Sequence, residues 1–211
     1  MNKKIIIFDM DGVLFDTTQI VNDLTMESYP GLTEDMCREL FCGNIHEEMG
    51  KIILPKKEET EEEWKKRFTH YSDKKTGVAM YAGMEELIKK LHQSGYILAI
   101  NTSARNSTTL PLLECRGVAN LFDFVATKEV AQSKVEKFQI IKDKYKVDEK
   151  DMLFVTDTLG DIREADKANV PTVAVTWGTH NESYFKREPH KNLMKVVNSV
   201  SELENFINSH H

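Results

Sequence analysis

Lys4-Ile5-Ile6-Ile7-Phe8-Asp9-Met10-Asp11-Gly12-Val13-Leu14-Phe15-Asp16-Thr17 is the stretch that decides the fold. Ile5 to Phe8 run without a polar interruption, the pattern of a strand buried on both faces in a parallel sheet covered by helices. The run stops at Asp9, and Asp11 and Gly12 follow. Residues i and i+2 of a strand point the same way, so the two carboxylates can converge on one small volume even as the strand ends. Open α/β sheets place their ligands at the carboxyl ends of parallel strands. Paired carboxylates repel unless a cation lies between them, and hard oxygen donors at this density suit Mg²⁺. An Asp-Gly pair is also a common hairpin signal, so this segment alone leaves both readings open.

Working outward, the pattern turns helical after Thr17. Ile20, Val21 and Leu24 share a helical face, stopped by Pro30-Gly31. Thr33 and the acidic Glu34-Asp35 open a second helix, and Ile45, Met49, Ile52 and Ile53 suggest a third, ended before Pro55. Residues 56–75 are dominated by charge. Glu61 with Lys65, Glu62 with Lys66 and Glu63 with Arg67 stand four apart on an exposed helix, and Trp64, Phe68 and Tyr71 form an apolar stripe read as packing. From Tyr81 strands and helices alternate. Helices are expected over 83–91, 108–116, 135–145 (Phe138, Ile140 and Ile141 inward), 162–168 and 200–207; strands over 96–100, 122–126, 152–155 and 172–175. The alternation implies an α/β fold with right-handed crossovers and a doubly wound parallel sheet.

The 211 residues suffice for one large domain or a core with a smaller insert. A net charge of −6 argues against a nucleic-acid backbone as partner, and no apolar run reaches the length of a membrane span. The opening Asn2-Lys3-Lys4 is no secretory signal, because Asp9 and Asp11 break the apolar stretch. Cys37, Cys42 and Cys115 show no metal spacing, and their odd count argues for a reduced, cytoplasmic protein. His210-His211 has the look of a purification-tag remnant, with no functional role expected.

Asp9-Met10-Asp11-Gly12-Val13 resembles the first motif, DxDx(T/V), of the haloacid dehalogenase superfamily, mostly phosphatases and phosphomutases. Three further motifs follow in order. Thr102, with Ser103 as the alternative, ends the 96–100 strand where the second motif places a hydroxyl for a phosphoryl oxygen; either residue would equally serve as a helix N-cap. Lys134 precedes a helix as in the third motif, though without the usual Pro after it, and Lys128 and Lys137 are rivals. Thr156-Asp157 with Asp161 fits the acidic fourth motif, GDxxxD, with Thr in place of Gly. Capping explains Asp161 but not Asp157 after a buried run.

The resemblance covers the whole chain and points to the phosphoglycolate phosphatase and β-phosphoglucomutase-like branch with a helical cap. It implies a Rossmann-like core of residues 1–16 and 80–211 and an all-helical cap of residues 17–79. It also implies Mg²⁺ bound by Asp9, Asp157 and the Asp11 carbonyl, with Asp161 behind them, and phosphate held by Thr102, Ser103 and Lys134. Asp9 would be the nucleophile and Asp11 the acid and base, acting on a small phosphorylated metabolite. Arg105 and Asn106, after the second motif, are candidate substrate contacts. A monomer or weak dimer is expected. A phosphomutase of the same family, or a catalytically silent binding member, is the rival reading. Phosphonate hydrolysis in the family replaces the second Asp with a cap lysine, and Lys51 lies in the cap, but Asp11 is present.

Overall fold

The computed structural model describes residues 4–210, so Asn2, Lys3 and His211, weighed above, lie outside it. In chain order the elements are β1 (Ile5–Phe8), α1 (Thr18–Ser28), α2 (Glu34–Leu40), α3 (Ile45–Gly50), α4 (Glu61–Thr76) and α5 (Met84–Gln93). Next come β2 (Ile97–Asn101), α6 (Asn106–Cys115), β3 (Phe124–Ala126), α7 (Lys134–Tyr145), β4 (Met152–Thr156) and α8 (Leu159–Ala168). The chain ends with β5 (Thr172–Val175), α9 (Glu182–Phe185), β6 (Leu193–Val197) and α10 (Val200–His210).

The six strands form one parallel sheet in the order β3-β2-β1-β4-β5-β6. β1 lies inside it, and its side chains alternate between two cores. Ile6 and Phe8 pack with Leu98, Ile100, Val155 and α5, while Ile5 and Ile7 pack with Ala99, Phe138, Ile141 and Phe154. Each fully buried side chain of this kind stabilises the fold by about 1.5–3 kcal/mol. An uninterrupted apolar run is therefore what this position requires. The strand order reverses between β1 and β4, and the crevice at their carboxyl ends is where such sheets bind ligands. Asp9 and Asp157 immediately follow these two strands.

Several details depart from the sequence reading. Ile140 faces solvent rather than the core. The third helix ends at Gly50, leaving Ile53 almost wholly exposed. Arg67 pairs with Glu59 rather than Glu63, whose carboxylate closes a capping box with Thr60. β6 and α9 had no counterpart in the reading. β6 is an edge strand with Met194 and Lys195 turned outward, so its apolar pattern is broken. Among the described residues no helix is long and apolar enough to cross a membrane.

Candidate active site

Asp9 continues β1 by one residue, its N–H donating to Val155 O at 2.9 Å. The chain then turns sharply. Gly12 has φ +76°, and a Cβ there would lie 2.1 Å from Asp157 Oδ2. Only glycine permits both the turn and the approach of Asp157. The Asp-Gly pair thus makes a tight loop against a neighbouring strand end, not a hairpin. Asp157 is fully buried; its Oδ2 accepts from the Thr179 N–H at 2.7 Å, and its Oδ1 has no hydrogen-bond partner.

Lys134 stands at the N-terminus of α7 with its ammonium 2.9 Å from Asp9 Oδ1 and 2.7 Å from Asp161 Oδ2. The Pro expected after it is Val135, whose N–H donates to the Ser133 hydroxyl at 3.1 Å. Proline could not make that cap, so the helix start is held by another device. Thr156, where the motif has Gly, donates its hydroxyl to Asp161 Oδ2 at 2.6 Å. Glu164, which the motifs did not mark, accepts from the Lys134 N–H at 2.9 Å, the Ser133 hydroxyl at 3.0 Å and Asn44 Nδ2 at 3.2 Å.

Burial pushes the Asp9 carboxyl up to about 6, with Lys134 pulling it back and Asp161 adding to the rise. Burial and the Asp9 charge push Asp157 up to about 8. Lys134 is raised despite its burial, because Asp161 and Asp9 face it. Two crowded carboxylates and an orphaned buried oxygen on Asp157 form a donor set that fits a cation. Among the described residues no three His, Cys, Asp or Glu side chains group to hold a metal. Two carboxylates with a backbone carbonyl nonetheless suit Mg²⁺, which keeps several waters and takes one or two carboxylates.

Asp11 is held differently. The ammonium of Lys75, from the last turn of α4, lies 2.7 Å from its Oδ1 and 2.8 Å from its Oδ2, and the Thr17 hydroxyl donates to Oδ1 at 2.6 Å. Lys75 is fully buried. Burial alone would lower its titration, but Asp11 and Tyr71 more than offset that and raise it. Lys51 lies instead on the surface with Glu48.

Thr102, Ser103 and Arg105 line a cavity of about 290 Å³ together with Asp9, Asp11 and Lys134. The Thr102 oxygen accepts from the Ala104 N–H at 3.1 Å, leaving its O–H available to a ligand. Asn106 does not line the cavity; its Oδ1 accepts from the Thr127 hydroxyl. Opposite the motif residues, Val21, Leu24, Phe41, His46, Phe68 and Tyr71 line the cavity. Phe68 and Tyr71, read as packing, therefore face the site, whereas Trp64 stacks on Phe68 at 5.0 Å between ring centroids.

The α2–α3 segment is seated on α8 and α9. Gly160 N–H donates to Phe41 O at 2.9 Å, and a Cβ on Gly160 would lie 2.2 Å from Gly43 O. His180 Nδ1 accepts from the Leu159 N–H and Nε2 donates to Arg38 O, both at 2.9 Å, an arrangement that needs the neutral ring. Burial holds its titration down to about 4. Arg187 forks onto Glu39 at 2.8 and 2.9 Å, and Arg163 reaches Cys42 O. Nothing in the sequence marked Lys75, Glu164 or His180, because each acquires its partners only through folding.

Residues 6–175 match the family model described as haloacid dehalogenase-like hydrolase. A phosphoglycolate phosphatase from Vibrio vulnificus (strain CMCP6) is 26% identical over 207 residues, covering 88% of this chain and 90% of that protein. The pyrophosphatase PpaX of Halalkalibacterium halodurans is 25% identical over 195 residues, covering 89% and 90%. The solved structure of CbbY from Rhodobacter sphaeroides in complex with phosphate superposes with a TM-score of 0.75 at 18% identity, covering 95% of this chain and 96% of that one. With the sheet order, the motif spacing and the family match in agreement, the chain belongs to the haloacid dehalogenase-like hydrolases and is an enzyme of that family's phosphatase type.

Proposed function

We propose that the enzyme hydrolyses a small phosphate monoester with Mg²⁺, through an aspartyl-phosphate on Asp9. The observation that carries this reading is the pairing of Asp9 with Lys134 at 2.9 Å on the wall of the cavity; the Asp9 charge also acts on the buried Asp157, one of whose oxygens has no partner. An ionised Asp9 oxygen attacks phosphorus, the ester bond breaks, and Asp11 gives a proton to the leaving alkoxide. Asp11 then takes a proton from the water that cleaves the acyl-phosphate and regenerates Asp9. Lys134 and the Thr102 hydroxyl hold the phosphoryl oxygens in line and offset their charge. Mg²⁺ held by the Asp9 and Asp157 carboxylates and the Asp11 carbonyl would supply further charge neutralisation there. Residues 17–79 act as a cap that closes over the site and keeps bulk water out.

The apolar inner wall from α1 and α4 and a cavity of about 290 Å³ support an ester with a compact organic body rather than a polymer. Relatives named for phosphoglycolate and for pyrophosphate are almost equally similar to this chain, so similarity does not choose the substrate. A panel of phosphorylated metabolites, scored by phosphate release with Mg²⁺ and with EDTA, tests the reading. Metal-dependent release from at least one monoester is expected. Release from none, or release unaffected by EDTA, overturns it.

A further inference from the structure

Helix α7 carries two lysines three residues apart, and both are buried, Lys134 at 2% exposure and Lys137 at 0%. Lys134 has carboxylates on two sides. Lys137 has none within ion-pair reach among the described residues; its Nζ donates to the backbone carbonyl of Thr102 at 2.7 Å. Buried ammonium groups are kept where they are paired or used. The carbonyl it holds belongs to Thr102, which lines the cavity.

We propose that Lys137 is a positioning residue of the phosphoryl site: from behind Thr102 it pins the loop that meets the phosphoryl oxygens, and it adds a second buried positive charge to that of Lys134. The proposal rests on the phosphoryl site assigned above. The charged neighbours of Lys137 are Lys134 on its own helix, Asp9 after β1, Asp161 and Glu164 on α8, and His46 on α3. The carboxylates are committed elsewhere: Asp9 to Lys134, Asp161 to Lys134 and Thr156, Glu164 to Ser133, Asn44 and the Lys134 N–H. Burial, then the Lys134 charge, pulls Lys137 down to about 8. Near that pH the free enzyme holds its proton only part of the time. An oxyanion in the cavity favours the charged ammonium, so binding takes up a proton and weakens as pH rises through about 8.

Sulfate is the probe, because it does not titrate in this range. Calorimetry with saturating Mg²⁺ from about pH 6 to 9, in two buffers of different ionisation heat at each pH, reads proton uptake on sulfate binding. Wild-type protein should take up a fraction of a proton. Lys137→Met should take up none and bind sulfate about tenfold more weakly, the loss of one charge-assisted contact. Lys137→Gln keeps a donor for the Thr102 carbonyl but no charge, so it should recover kcat relative to Lys137→Met while still taking up no proton. Wild-type binding without proton uptake overturns the proposal, as does a Lys137→Met protein that keeps wild-type affinity and proton uptake. The wild-type measurement needs no variant to fold. If wild type neither binds sulfate nor releases phosphate from any ester, the assigned phosphoryl site falls too. If it does both and the variants match it, only the role of Lys137 falls.

Discussion

Deleting Asp11 should destabilise the protein more than deleting its partner Lys75, and deleting both should bring stability back to the level of the Lys75 deletion. The Lys75 side chain has no exposed surface, and its ammonium touches both Asp11 oxygens at 2.7 and 2.8 Å. Asp11→Ala leaves that ammonium buried with only the Tyr71 ring and hydroxyl beside it. A lone buried charge of this kind costs about 3–5 kcal/mol. Lys75→Met leaves a carboxylate that is 23% exposed and still bound by Thr17, so the loss is that of one charged hydrogen bond, about 1–2 kcal/mol. The double variant strands neither charge and should resemble Lys75→Met. Urea unfolding at pH 7 in EDTA, followed by circular dichroism, reads all four corners of the cycle. Losses that add within about 0.5 kcal/mol, or a double variant weaker than Asp11→Ala, would refute the reasoning.

Asp9→Asn should form no phosphoryl-enzyme, whereas Asp11→Asn should slow turnover by about 10²–10⁴-fold and let acid-quenched label accumulate from a good-leaving-group ester; equal trapping in both would misassign the roles. Asp157→Ala should raise the Mg²⁺ concentration needed for half-maximal activity more than Asp161→Ala does, because Asp161 is already occupied by Lys134 and Thr156. A carboxyl raised by folding contributes stability that is lost as pH rises from its unfolded towards its folded value, so with Asp157 near 8 the metal-free melting temperature should fall between about pH 5 and 8, and Mg²⁺ should flatten that slope. Gly160→Ala should lower stability by about 1–3 kcal/mol and expose residues 17–79 to protease, since its Cβ would press on Gly43 O at 2.2 Å; unchanged melting and proteolysis would show that the α2–α3 seat is not held there.

What the sequence made legible was whatever follows from burial along one strand. β1 and β4 run through the middle of a sheet covered on both faces, so Ile5 to Phe8 and Met152 to Val155 had to be apolar throughout, and the carboxylates after them stood out. Lys134 was legible only by its place in the motif order, because lysine is ordinarily a surface residue. The departures from the motif became intelligible only in three dimensions: Val135 and Thr156 each contribute a hydrogen bond that the expected Pro or Gly could not make. β6 escaped because an edge strand with one wet face carries too little apolar signal.

The residues that sequence reasoning missed share a cause, and it bears on how the enzyme would work. Lys75 lies at the end of a helix dense in Glu and Lys, where a lysine reads as one more solvated charge, yet it reaches a carboxylate 64 positions away. That carboxylate is the proposed acid and base. The Asp11 side chain is therefore oriented by a residue of α4 as well as by Thr17, and the neighbouring α2–α3 segment is seated by separate contacts at Gly160, His180 and Arg187. A cap that swings away would remove the Lys75 ammonium from Asp11 while leaving Asp9, Lys134 and Asp157 in place, since all three stand on the sheet or on α7. Phosphoryl binding would then survive opening, but the arrangement for proton transfer to the leaving group would not. Seating of these helices would thus fix the direction of the Asp11 carboxyl beside the apolar wall, which ties proton transfer to the fit of the ester in the cavity.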